Sequence, residues 1–291
     1  MPSGIDAQLG AQLAGTLLSP WVLALLGLCI GSFLNVVIHR LPMMMEREWK
    51  LDSAELLGVK IDEPAPITLS TPRSRCPSCG HMIAWHENIP VLSYLRLGGK
   101  CAACKTPISK RYPAIEILTA LLFAACGVHF GTQPATLLWC GLVATLVALA
   151  FIDLDTQFLP DSLTLPLLWA GIASAAFGWI PVSLKDSVLG AMAGYLSLWF
   201  VFHAYRIIRG REGMGAGDFK LLAALGAWMG WLAIPSIILL SSAVGAVVGI
   251  VLIALRSHDR DVPIPFGPYL AGGGVAALFF GEQLSRLWFP A

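Results

Sequence analysis

The sequence predicts an all-α polytopic membrane protein of about eight transmembrane helices, with a small cytoplasmic metal-knuckle domain inserted after the first. Three observations carry that prediction. The 291 residues are 56% hydrophobic and only 13% charged, with a mean hydropathy of +0.72, whereas a soluble globular chain carries about 25% charged residues. Apolar runs recur at lengths near the roughly 20 residues that a helix needs to cross a bilayer. Between the first and second runs lies a polar, basic segment with four paired cysteines. This composition points to the lipid bilayer as the surroundings, and a net charge of +1 to no nucleic-acid partner.

The apolar runs cover residues 20–38, 114–130, 135–152, 162–179, 187–205, 219–233, 236–255 and 268–288. The first has no basic stretch before it, and its first basic residue, Arg40, follows it. It therefore reads as an uncleaved span rather than a secretion signal. Within it, Gly27 and Gly31 have the small-residue spacing that lets a second helix approach closely. Asn35 needs a hydrogen-bond partner there, which a neighbouring helix would supply. Residues 40–111 hold eleven of the 19 Lys and Arg residues, which makes this segment cytoplasmic by the positive-inside rule. Alternating the spans puts the loops 153–161, 206–218 and 256–267 on the same side, with Arg206, Arg209, Arg211, Arg256 and Arg260, and both termini on the other. The predicted division is a first transmembrane helix over 1–38, a cytoplasmic knuckle domain over 39–112 and a seven-helix membrane domain over 113–291.

The cytoplasmic segment contains CPSCG at 76–80 and CAAC at 101–104. Cys76, Cys79, Cys101 and Cys104 offer four thiolates at a spacing suited to one tetrahedral ion, zinc by preference. Disulfides are the other reading, which a reducing cytoplasm disfavours. So small a segment builds little core, so a metal would stabilise its fold. His81 and His86 lie close by, as additional ligands or as solvent-facing side chains. Cys29, Cys126 and Cys140 each stand alone in an apolar run and read as packing residues.

Two acidic loops set among the apolar runs carry the chemistry. One is FIDLDTQFLPD at 151–161; the other is GMGAGDFK at 213–220. Carboxylates beside lipid are costly, so they are functional candidates by default. Asp153 closes an apolar helix directly and has the weakest structural explanation. Asp155 points to another face. Asp161 begins the next helix, where unpaired amides and the dipole favour a carboxylate. In the second loop, Gly213, Gly215 and Gly217 remove side chains at alternate positions, so a backbone can take conformations closed to other residues or lie against an extended peptide. Asp218 follows directly, at a helix entrance. Two acids converging from separate helices can share a proton and activate a water. Cysteine-nucleophile, serine-elbow, zinc-protease, P-loop and dinucleotide motifs are all missing.

Taken in order, GSFLNVVIHRLP at 31–42, the paired C-x-x-C, GGKC at 98–101, RYPAIE at 111–116, the two acidic loops and PIPFGP at 263–268 resemble a type IV prepilin peptidase. The resemblance runs from about Leu28 to Tyr269. It implies a bifunctional leader peptidase and N-methyltransferase of the inner membrane of Gram-negative bacteria. Such an enzyme cuts the basic leader of type IV prepilins and type II secretion pseudopilins after a glycine, on the cytoplasmic face. It then methylates the new N-terminal residue with S-adenosylmethionine. The catalytic pair of the family maps onto Asp153 and Asp218, with Asp155, Asp161, Gly215 and Gly217 as supporting loop residues. Gly98 and Gly99 are candidates for close approach to the methyl donor or for a plain knuckle turn. Two other classes stay open: a proton-coupled transporter, with Glu116 on a central pathway, and a non-enzymatic assembly protein that would tolerate loss of both loop acids.

Overall fold

The computed structural model describes residues 15–60, 65–210, 213–255 and 264–286. Arg211, Arg256, Arg260, Pro263 and both termini lie outside them. The described residues are helical, with two isolated β-bridges and no strand among them. The chain divides into two compact units, 1–148 and 149–291, each taken by itself below.

The first unit contains α1 (Pro20–Leu57), the short α2 (Leu92–Arg96), α3 (Arg111–Phe130) and most of α4 (Thr136–Thr156). Helices α1 and α3 pack closely because glycines let them. A Cβ on Gly27 would stand 2.7 Å from the Ala120 Cα, and one on Gly31 would stand 2.7 Å from the Glu116 Cα. Asn35 donates to the Tyr112 carbonyl at 3.2 Å and to Gly31 O at 3.2 Å, the interhelix bond that apolar burial requires. Cys126 and Cys140 are buried, whereas Cys29 is exposed on α1 and so does not pack in this unit.

Helix α1 outruns its apolar stretch by many residues, because 43–57 (MMMEREWKLDSAELL) is made of helix formers. A Glu46–Lys50 pair at 2.9 Å adds i,i+4 support. Pro42 sits inside the helix. The helix stops at Gly58 with φ +64, where the Val59 amide donates to Ala54 O at 2.9 Å. Past the apolar stretch, Arg40 donates to Thr68 O at 2.8 Å and to Pro72 O at 2.7 Å, tying the approach to the first knuckle back onto α1.

The second unit is built around α7 (Ala216–Met229), which is buried from Asp218 to Trp228 at every position but Lys220. Around it stand α5 (Asp161–Ala176), α6 (Leu184–Arg209), α8 (Ile234–Ala254) and α9 (Gly267–Ser285). At the α6–α7 crossing Gly190 and Gly226 face each other so closely that a Cβ on either would collide with the other's carbonyl oxygen. Ser187 donates to Ala227 O at 2.7 Å across the same contact. Trp228 donates to Leu167 O at 2.8 Å and lies over Gly171 of α5.

Among the described residues five helices are long and apolar enough to cross a membrane. They fall on the predicted runs at 20–38, 114–130, 135–152, 187–205 and 236–255. The other three runs are helices of 16, 14 and 19 residues. At 1.5 Å per residue α7 is about 21 Å long, short of a hydrocarbon core of about 30 Å. It can be short because protein, not lipid, covers it.

The α1–α3 contact yields a prediction. Replacing Gly31 by Ala forces backbone apart and should cost about 1–3 kcal/mol, read as a lower thermal midpoint of the purified protein in detergent; an unchanged midpoint would show that the two helices are not held at this distance.

Candidate active site and metal centre

The candidate metal centre is assembled from two knuckles with one hydrogen-bond pattern. In the first, the Cys76 amide donates to His81 O at 2.9 Å and the Gly80 amide to Cys76 O at 2.9 Å. In the second, the Cys101 amide donates to Thr106 O at 2.9 Å and the Lys105 amide to Cys101 O at 3.1 Å. Gly80 and Lys105 hold the same left-handed position, at φ +71 and +61. A bridge closes each knuckle, Arg75 with Met82 and Lys100 with Pro107. The four sulfurs all lie within 4.8 Å of one another, with Cys76–Cys104 at 3.8 Å and Cys79–Cys101 at 3.9 Å.

Ligands about 2.3 Å from a tetrahedral ion stand about 3.8 Å apart, so the four sulfurs fit a metal such as zinc. These separations also exclude disulfides, and the cysteines are free. Thr106, through its hydroxyl and backbone, brings the Cys104 thiol down to about 6, favouring the thiolate that a cation needs. His81 does not join the sulfurs; it pairs with Glu87 at 3.1 Å. The Ala84 amide at 3.0 Å, and then His81, hold the Glu87 carboxyl below its ordinary range. Gly98 and Gly99 have φ +62 and +68 and form the turn from α2 into the second knuckle, with the Gly99 amide on Tyr94 O at 2.8 Å.

The acids lie in the second unit. Asp153 sits one turn before the end of α4 and is only 5% exposed. Its Oδ2 accepts the Gly267 amide at 2.9 Å. Gly267 is the first residue of α9, so this is one of the amides a helix start leaves without a partner. Only glycine fits, because a Cβ there would stand 2.7 Å from the carboxylate oxygen. Asp218, 7% exposed, lies in the first turn of α7 and is hydrogen-bonded by the backbone of Gly215, the residue that caps that helix. The two carboxylates are near enough to interact electrostatically.

The other loop residues have different surroundings. Asp155 is exposed. Asp161, first in α5, is gripped by Lys220 at 2.6 and 2.7 Å, which links the starts of α5 and α7. None of the three loop glycines has a positive φ, so none is there for unusual backbone, and two of them serve close approach. Gly213 lies against the Tyr205 ring and Gly217 against Leu159. Among the described residues the space beside Gly215 is open: a Cβ there would meet nothing nearer than the Gly217 amide nitrogen at 4.0 Å. Gly267 was not singled out by the sequence reading, although a Gly-Pro pair opening an apolar run is the mark of a helix start.

Two buried acids are thus carried by separate helices of an apolar unit. The comparisons give the class of protein, an aspartic peptidase. The profile of the Bacterial Peptidase A24 N-terminal domain matches residues 25–130, and that of the Type IV leader peptidase family matches residues 140–250. A prepilin leader peptidase/N-methyltransferase of Aeromonas hydrophila is 53% identical over 277 residues, covering 93% of this chain and 94% of that protein. One of Pseudomonas aeruginosa is 52% identical over 265 residues, 91% of each chain. One of Burkholderia pseudomallei is 50% identical over 265 residues, 90% of this chain and 85% of that one. No solved structure matches the chain. The chain belongs to the type IV leader peptidase family.

The purified protein should carry a metal ion by elemental analysis, and the Cys76→Ser, Cys104→Ser protein should lose it. Metal retained at the wild-type level would mean that these cysteines do not hold it.

Proposed function

We propose that the chain cleaves the leader from prepilins and pseudopilins with Asp153 and Asp218 as the catalytic dyad, and then N-methylates the new terminus. The observation that carries this reading is the pairing of two buried carboxylates from separate helices. Close carboxylates do not readily ionise together, so one carries a proton while the other does not. The ionised member takes a proton from a water whose oxygen attacks the scissile carbonyl carbon, and the protonated member gives its proton to the carbonyl oxygen. Collapse of the tetrahedral intermediate breaks the C–N bond, and the leaving amine takes a proton back from the dyad. Gly267 occupies one oxygen of Asp153, which fixes the direction in which the other meets the water. The open space beside Gly215 is where the extended leader would lie.

The relatives' printed names support both activities. In this reading the protein lies in a bacterial inner membrane, with its active site on the cytoplasmic side and both termini in the periplasm. The ion at the knuckles is zinc, and it supplies a fold-stabilising link between them. Gly98 and Gly99 are accounted for by the turn they make, and we assign none of the described residues to S-adenosylmethionine. A transport pathway through Glu116 is disfavoured, because its buried carboxylate already accepts the Val91 amide at 2.8 Å.

The test is cleavage of a purified prepilin in detergent, with product mass read in the presence of S-adenosylmethionine. Asp153→Asn and Asp218→Asn should each lower cleavage by about 10²–10⁴-fold while the protein still accumulates in the membrane; wild-type rates in both would sink the dyad. Gly267→Ala should give a smaller loss. The Cys76→Ser, Cys104→Ser protein should lose methylation more than cleavage. Equal loss of both activities would instead make the knuckles part of the peptidase.

A further inference from the structure

The knuckle segment exposes apolar side chains that its own small core does not use. Trp85 is 78% exposed, Leu92 65% and Leu95 68%. Leu92 and Leu95 are three apart on α2 and so share a face. We propose that Trp85, Leu92 and Leu95 dock into the headgroup–acyl boundary of the leaflet where the Arg111 end of α3 emerges, with exposed Arg96 and Lys100 meeting anionic lipid phosphates.

Depth is what commits this face to lipid. Helix α3 has 20 residues and is about 30 Å long, the thickness of a hydrocarbon core. Glu116 is five residues in from its Arg111 end, about 7.5 Å along the axis. Its carboxylate holds the Val91 amide at 2.8 Å, so the backbone just before α2 is fastened level with the membrane edge, not out in water. Tyr94 ties the other side of α2 down through Ile108 O at 3.4 Å. Helix α3, to which this segment is fastened, exposes apolar side chains of its own, with Ile117 43% and Leu121 64% exposed. Tryptophan is characteristic of this interfacial layer, and basic residues beside it add attraction to anionic headgroups.

The experiment uses the full-length protein in vesicles of phosphatidylethanolamine and phosphatidylglycerol that contain a phospholipid with a photoactivatable diazirine near its headgroup. Adducts are mapped by mass spectrometry. They should appear on Trp85, Leu92 and Leu95 as well as on the exposed residues of α3, and be absent from Ser78 and Ala103 at the knuckle tips. Labelling of α3 without these three, or equal labelling of the tips, overturns the proposal. In the Leu92→Glu, Leu95→Glu protein, labelling at Trp85 should be lost while α3 labelling and metal content are kept. Unchanged labelling at Trp85 would equally refute it.

Discussion

A carboxylate buried among apolar helices must find a hydrogen-bond donor that costs nothing elsewhere, and that constraint organises the 149–291 unit. Asp153 finds it in the Gly267 amide. A helix start offers amides with no partner of their own, so one contact satisfies two groups that would each be expensive to bury alone. The geometry that results is strict. Residue 267 must lack a side chain, and α9 must begin beside the end of α4. The glycine crossing of α6 and α7 in turn lets α7 lie deep among its neighbours, buried over most of its length.

The first unit uses the same device for a different end. Glu116, 8% exposed, takes the Val91 amide as Asp153 takes that of Gly267. What separates them is company. A second carboxylate, that of Asp218, is near enough to interact electrostatically with Asp153, whereas Glu116 is hydrogen-bonded by the Val91 amide and the Ser32 hydroxyl. Burial of an acid alone therefore does not mark chemistry in this molecule. In the proposed function it is the pair that does, since two acids can divide one proton between the tasks of base and acid.

The sequence made legible what is written in short local patterns. The cysteine pairs announce a metal because C-x-x-C places two sulfurs on one tight turn, and the sulfurs do converge. The acids at 153 and 218 stand out because each touches an apolar run directly. Asn35 and the Gly27–Gly31 spacing foretell a close helix neighbour, which proves to be α3. What could not be read are contacts between distant residues. Gly267 meets Asp153 across 114 positions, and Asp161 meets Lys220 across 59. Nor does hydropathy reveal how far a helix runs beyond its apolar part, which is why α1 continues to Leu57. The loop glycines were legible as glycines but not in their use, since Gly213 and Gly217 make room for neighbouring side chains while Gly215 leaves a gap.

The likeness of the two knuckles bears on how such a domain can change over generations. Each closes its own turn with its own amides and its own bridge, so the placing of the sulfurs asks little of residues 83–97, which lie between the two closures. Insertions, deletions and substitutions in that connection are uncoupled from the sulfur cluster, and selection can remodel the surface it presents without dismantling the knuckles beneath.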